Sequence, residues 1–282
     1  MKIIEKHIVP SIKEPIRLQE YAATIFKTLA SRSGLKKAVK KQRILLNGKP
    51  ANTGDWIEEG QILELLQENL PKKKIFTLPL EVIFEDDYLA VINKPAGYPT
   101  NGNYFKTIEN ALPHNLKNST QEDTLSYPIP VHRLDNPTSG LLIIAKTKST
   151  QIFLNRAFEE KEIEKSYLAI ISGELVNEGV FTDAIEDKKA ETKFKLLQKI
   201  VKNEKQYSLV QLYPTTGRTH QIRIHLSKNG YPIIGDEMYG STEKFRGIYL
   251  TAFSLKFTHP ITLENLEFAT NYPKKFKKFI ES

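Results

Sequence analysis

Val131-His-Arg-Leu-Asp-Asn-Pro-Thr-Ser-Gly-Leu-Leu-Ile-Ile-Ala145 joins a charged turn to an unbroken apolar run. Pro137 lacks an amide hydrogen and has a fixed φ, so neither a helix nor a regular strand passes through it. Gly140 relaxes the backbone at the far end of the turn. Leu141–Ala145 is apolar at every position, the pattern of a central strand covered on both faces. Asp135 therefore sits in a turn at the mouth of a buried strand. Two readings are open. A turn Asp commonly accepts backbone N–H bonds. Alternatively, the turn holds a carboxylate at the edge of a sheet for chemistry.

Upstream, Leu80-Glu-Val-Ile-Phe-Glu-Asp-Asp-Tyr-Leu-Ala-Val-Ile-Asn-Lys-Pro-Ala-Gly97 has two β-branched clusters around Glu85-Asp86-Asp87, which predicts strand, turn, strand. Tyr167–Ile171 predicts a second central strand, and Thr192–Leu197, Tyr207–Leu212 and Leu250–Phe257 predict more. Phe153–Glu160 has helical spacing. The expected fold is α+β: a mixed, mostly antiparallel sheet with helices packed outside it.

Two further stretches carry chemistry. In Pro214-Thr-Thr-Gly-Arg-Thr-His-Gln-Ile-Arg-Ile-His-Leu226 a strand runs into a Gly-containing turn, and a helix is expected from about Arg218–Thr219. Its positive N-terminal end and Arg218 can together hold a phosphate or a carboxylate. The alternative is a structural Arg in a surface ion pair. Tyr167 opens an apolar strand, where tyrosines are commonly half-buried with the hydroxyl reaching solvent. His220 and His225 are five apart and do not share a helix face as paired ligands do. No metal site, P-loop or dinucleotide fingerprint is expected, and no cofactor.

The 282 residues are 40% apolar, with 14 Phe and 12 Tyr, enough to fill a core. There is no Cys, so disulfides and thiolate metal sites are excluded. The first residues, Met1-Lys-Ile-Ile-Glu-Lys-His-Ile-Val-Pro10, carry charges and a proline where a signal peptide needs an apolar stretch. A soluble cytoplasmic protein is expected. The net charge of +8 is uneven. Residues 1–75 carry 15 Lys or Arg against 8 Asp or Glu, while residues 76–282 carry 26 against 25. That asymmetry points to a polyanion-binding appendage on a near-neutral body, although a charge run can also be a solvated face.

Within the appendage, Ser31 or Ser33 can cap a helix. Leu35, Ala38 and Val39 recur at helical spacing, while Lys36, Lys37, Lys40 and Lys41 fall on the other side. Ile44–Leu46 reads as a strand and Asn47-Gly48 as a two-residue hairpin turn, with a further strand near Ile62–Leu66. From about residue 15 to 68 the chain resembles the S4 RNA-binding module, through Arg17-Leu18, Ser31-Arg32-Ser33, Lys40 and Arg43-Ile-Leu-Leu-Asn-Gly-Lys-Pro50. Gln42 stands where that module usually has Gly. The resemblance implies binding of structured RNA through Arg32, Lys36, Lys37, Lys40, Lys41, Arg43 and Lys49. The expected organisation is an S4-like domain over residues 1–70, a polar linker over 71–78 and a catalytic body over 79–282.

The body resembles the RluA-type pseudouridine synthases. The matching segments are Asn93-Lys-Pro-Ala-Gly97, His132-Arg-Leu-Asp-Asn-Pro-Thr-Ser-Gly-Leu-Leu142, Lys165-Ser-Tyr-Leu-Ala169, Gly217-Arg-Thr-His-Gln-Ile-Arg-Ile-His-Leu226 and Gly230-Tyr-Pro-Ile-Ile-Gly-Asp-Glu-Met-Tyr-Gly240. The resemblance implies isomerisation of uridine in RNA: uracil leaves ribose C1′, rotates and is rejoined through C5. It assigns the acting carboxylate to Asp135, the active-site tyrosine to Tyr167 and the ion-pair partner of the carboxylate to Arg218. RNA contacts are expected at Arg133, His132, Arg223 and Lys94. The substrate is expected to be ribosomal rather than transfer RNA, and the enzyme a monomer. The alternative is an RNA-binding ribosome assembly factor without catalysis. Two segments depart from the family pattern, Tyr98-Pro-Thr-Asn-Gly102 and Leu250-Thr-Ala252.

Overall fold

Turn chemistry shapes the first 67 residues. The computed structural model describes residues 2–23, 25–26, 28–29, 31–67 and 74–281. The chain divides into two units, Met1–Lys73 and Lys74–Ser282. Pro71-Lys72-Lys73 of the expected linker lies outside the described residues.

In the first unit, β1 (Ile3–Ile8), β2 (Ile16–Arg17), α1 (Leu18–Tyr21), α2 (Arg32–Lys40), β3 (Ile44–Leu46), β4 (Lys49–Pro50), β5 (Trp56–Ile57) and β6 (Ile62–Leu66) follow in order. Asn47 and Gly48 both have positive φ, +49° and +78°, as the tight hairpin between β3 and β4 requires. The sheet order is β1-β6-β3-β4. Ser31 caps α2, its Oγ accepting the Gly34 N–H at 3.1 Å. Leu35 and Ala38 enter a core with Leu18, Phe26, Ile44 and Leu63. Lys36, Lys37 and Lys40 face solvent.

The second unit contains β7 (Glu81–Glu85), β8 (Leu89–Lys94), α3 (Ile108–Asn115), β9 (Thr124–Pro130), β10 (Ser139–Thr147), α4 (Lys148–Glu159), β11 (Glu164–Ser172), β12 (Glu178–Phe181), β13 (Thr192–Lys202), β14 (Lys205–Pro214), α5 (Gln221–Lys228), β15 (Leu250–Thr258), β16 (Asn265–Ala269) and α6 (Lys274–Glu281). One large sheet runs β12-β13-β14-β11-β15-β10-β8-β7, with β16 on β15 and β9 on β10. The expected α+β architecture is observed. β8 and β10 are covered on both faces. Leu89, Val91, Leu141 and Ile143 pack with α4 and Phe257, while Ala90, Ile92, Leu142 and Ile144 pack with α3. That double burial is why Leu141–Ala145 has no polar position.

Among the described pairings one is parallel: β10 meets β15 at Ser139↔Thr251 and Gly140↔Ala252. Gly140 has φ +115°, and a Cβ there would lie 2.1 Å from the Ala252 carbonyl oxygen. Only glycine lets the two backbones meet so closely, and the Asp135 turn rises from this junction. The helix expected from Arg218–Thr219 starts instead at Gln221. His220, its N-terminal neighbour, is left-handed at φ +54° and holds the helix back. No described helix is long and apolar enough to cross a membrane.

Candidate active site

Asp135 lies on the turn between β9 and β10, in a cleft of about 960 Å³. The turn is held through its main chain. Thr100 Oγ1 donates to the Leu134 carbonyl at 2.9 Å and accepts the Leu134 N–H at 3.0 Å. Gly97 N–H donates to the Asn136 carbonyl. Beneath it the Lys94 ammonium, with no exposed surface, donates to the carbonyls of Thr138 (2.7 Å), Pro95 (3.1 Å) and Asn136 (3.3 Å). Burial lowers the Lys94 pKa to about 8, opposed by the charge on Asp135. These ties leave the carboxylate itself unspent: among the described residues no backbone N–H donates to it.

Two side chains from the far wall, a guanidinium and an imidazole, approach it instead. Arg223 Nη1 is 3.6 Å from Asp135 Oδ2, and His220 Nε2 is 3.8 Å from Oδ1. Arg223 is buried and rigid. Its Nε and Nη2 donate to the two Asp236 oxygens, each at 2.7 Å, and its guanidinium lies 4.7 Å from the centre of the Tyr239 ring. A bidentate clamp of this kind fixes the plane of the guanidinium. His220 is oriented by Tyr239, whose hydroxyl is 2.9 Å from Nδ1. Strain at a left-handed non-glycine residue is commonly found where geometry serves a site.

Tyr167 enters from β11 and shares the cleft. Burial, and after it the negative charge of Asp135, pushes its phenol well above the ordinary tyrosine range. The hydroxyl therefore keeps its proton, and the free site offers a ring and a hydrogen-bond donor rather than a phenolate.

A profile of the family described as RNA pseudouridylate synthase matches residues 88–228, half of the chain. The chain belongs to the RluA-type family of RNA pseudouridine synthases. It is 31% identical to a protein of Nitrosomonas europaea named ribosomal large subunit pseudouridine synthase D, over 89% of this chain and 80% of that one. It is 35% identical to a tRNA pseudouridine synthase C of Pasteurella multocida, over 67% of this chain and 90% of that one. The structure of human RNA pseudouridylate synthase domain containing 1 superposes with a TM-score of 0.58 and 26% identity, covering 68% of this chain and 83% of that one. The reaction class is thus an isomerisation of uridine in RNA.

In this pseudouridine synthase several expected roles change hands. Arg218 lines the cleft, but its Nε donates to the Lys189 carbonyl at 3.2 Å. The ion pair expected of Arg218 is made by Arg223. The reason is the late helix start: turning through left-handed His220 leaves Arg218 on the loop and brings Arg223 to Asp135. Gln221 anchors this geometry, with Nε2 donating to the Glu191 carbonyl and Thr192 Oγ1 and Oε1 accepting the Arg218 N–H.

Arg223 and Lys94 were expected on RNA. Arg223 is 4% exposed and already doubly paired, and Lys94 is enclosed by carbonyls, so neither presents a free charge. His132 also turns inward. Its Nε2 accepts the Ile143 N–H at 3.0 Å, and burial with help from nearby Lys165 lowers its pKa to about 3. Arg133 behaves as expected of a free cation: it is exposed, lines the cleft and has no carboxylate partner among the described residues. Of the departing segments, Thr100 is the buried tie on Leu134, and Thr251 accepts from Ser139 Oγ at 3.1 Å at the parallel junction. Both bond the chain itself. Asp236, His220 and Tyr239 were missed as site residues, although all three lie in quoted motifs. Among the described residues, no group of three or more His, Asp or Glu side chains converges as a metal site would.

Proposed function

We propose that this pseudouridine synthase modifies uridine in ribosomal RNA, with Asp135 as the acting carboxylate and the first unit as an S4-like RNA-binding module. The observation that carries the reading is Asp135 itself: a carboxylate with no backbone donor among the described residues, faced by Arg223 and His220, in a cleft shared with Tyr167. Attack on uracil C6, attack on ribose C1′ and removal of the 2′ proton all begin from such an ionised carboxylate. Arg223 favours that charge at short range. Tyr167 contributes its ring face to the displaced base. The target nucleotide must leave its stack, at a cost of a few kcal/mol, and Arg133 is free to occupy the vacated space or grip a flanking phosphate.

Two observations favour ribosomal RNA. Relatives named for the large ribosomal subunit align over 89% of this chain, more than the second unit alone supplies. The first unit also offers a concave basic surface lined by Arg32, Ser33, Lys36, Lys37 and Lys40. Exposed lysines and arginines on one face match a phosphate backbone.

The test uses RNA tritiated at uracil C5. Wild type should release tritium from ribosomal RNA, and Asp135→Asn should release it about a thousandfold more slowly while binding the RNA equally well. Undiminished release by Asp135→Asn would sink the assignment. Mapping pseudouridines in ribosomal RNA with and without the protein identifies the uridine, and sites lost only from transfer RNA would redirect the substrate.

A further inference from the structure

Lys165 and Tyr167 stand two residues apart on β11, so strand alternation sends both to one face of the sheet, about 7 Å apart. Both line the cleft. The surroundings of the Lys165 ammonium supply no counter-ion. It lies 5.7 Å from the centre of the Phe158 ring. The adjacent His132 ring is kept neutral by accepting the Ile143 N–H. Glu164, next in sequence, is turned to Lys256 at 3.9 Å. Asp135 is engaged by Arg223 and His220. Among the described residues no carboxylate pairs with Lys165.

A half-buried ammonium without an anion is unfavourable, since it loses water and gains no partner. Desolvation accordingly lowers the Lys165 pKa below the usual lysine range. Such a cation is poised to gain when a ligand brings the missing charge.

We propose that Lys165 receives a backbone phosphate of the RNA, one of the two phosphates flanking the nucleoside whose base enters the cleft. This rests on the reading of Asp135 as the site of uridine chemistry. The spacing supports it: with the base against Tyr167, a cation two strand positions away lies at the reach from a nucleobase to its own phosphodiester. The ammonium then gains its counter-ion only when a nucleotide is seated, so the contact rewards a flipped nucleotide over a stacked one.

The experiment pairs full-length wild type, Lys165→Gln and Lys165→Arg with the ribosomal RNA hairpin that carries the mapped uridine. The hairpin is made with natural phosphates, or with one uncharged methylphosphonate 5′ or 3′ of that uridine. Lys165→Gln should raise KM and the binding constant about tenfold with kcat little changed, and Lys165→Arg should recover most of the loss. A methylphosphonate at one of the two positions should weaken wild type by a similar factor and weaken Lys165→Gln no further. Independent, multiplying losses at both positions would overturn the proposal and make Lys165 a packing residue, as would a loss seen only in kcat. An unchanged melting temperature shows that the variants fold. Binding is measured separately from tritium release. If wild type binds without releasing tritium, the reading of Asp135 fails while the phosphate contact is still read from binding.

Discussion

The Asp135 turn and the basic face of α2 both surround places where RNA is expected, yet they are built by opposite means. The turn is tied down by side-chain and main-chain donors, two of them, Lys94 and Thr100, buried. Lys94, Thr100 and Gly97 together engage Pro95, Leu134, Asn136 and Thr138, and Arg223 is clamped by Asp236 before it meets Asp135. The α2 face consists of exposed side chains on a capped helix. Chemistry needs a group fixed to a fraction of an ångström, so the site is a dense polar network, in which the Thr138 hydroxyl, alone of the turn's buried side-chain polar atoms, lacks a partner among the described residues. Phosphate contact needs charge at about the right place, and several long cations provide it interchangeably. Substitutions should therefore be drastic and specific in the first region and graded in the second.

The two arginines of Gly217–Arg223 break or sustain this contrast most directly. Arg223→Gln removes the partner of a buried, doubly hydrogen-bonded carboxylate, and losing one side of such a pair costs about 3–5 kcal/mol. It should lower the melting temperature markedly and reduce tritium release by two orders of magnitude or more. Arg218→Ala gives up one 3.2 Å bond to the Lys189 carbonyl at an exposed position. It should leave the melting temperature nearly unchanged and act chiefly on KM. If the stabilities of the two variants fell equally, the division between network and surface would be wrong.

Next in size is Lys94. Lys94→Met leaves three carbonyls of the turn without their shared donor, at about 1–3 kcal/mol per buried group left unsatisfied. The pH dependence gives a sharper measurement. Native Lys94 releases its proton near pH 8, while the unfolded chain holds it to about 10.4. Between those values the unfolded state binds more protons, so stability rises with pH. Urea titrations at pH 7.5, 8.5 and 9.5 should show wild type gaining on Lys94→Met with each step. A constant difference would mean that the carbonyls hold the proton as firmly as water does.

On the α2 face, Lys36, Lys37 and Lys40 changed together to Ala should weaken RNA binding and reduce the slope of log affinity against log salt by about two to three. Tritium release at saturating RNA should be unchanged. An unaltered slope would reduce the stripe to a solvated face.

Much of this contrast was legible in the sequence, and the rest was hidden for identifiable reasons. That Asp135 and Tyr167 meet in one cleft was legible from the family resemblance, which rests on the short segments around them, with Pro137 and Gly140 shaping the turn and Tyr167 opening the apolar run of β11. The Arg218 assignment failed because helix register depends on one left-handed residue, His220, and a histidine does not announce positive φ as glycine does. Lys94 looked like an RNA contact because Asn93-Lys94-Pro95 contains nothing apolar to foretell burial. Two of the three carbonyls that enclose it come from residues 136 and 138, more than forty positions away. Short edge strands such as β12 and β16 left too few residues for a periodicity. The signal for α6 is present in the spacing of Phe276, Phe279 and Ile280, a helical stripe that the charged residues around it obscured.

The smallest expected effect lies at the end of α2, where the helix that carries the basic face is stopped. Gln42 has φ +53°. Its N–H donates to the Val39 carbonyl, and the following Arg43 N–H reaches back to Ala38. That pair of bonds is the helix-ending motif in which a left-handed residue, usually glycine, terminates the turn. A side chain there costs about 1 kcal/mol, partly offset because glycine is freer when unfolded. Gln42→Gly should therefore stabilise the first unit by up to about 0.5 kcal/mol, read as slower hydrogen exchange at the amides of Lys41–Arg43. Gln42→Ala, which keeps a Cβ in the same conformation, should give no gain. The glycine variant should also leave RNA affinity unchanged, since Gln42 lies past the end of α2 and is not among the residues that line its basic face. A change in affinity without a change in exchange would mean that the terminus itself touches RNA, and that the graded surface extends past the helix.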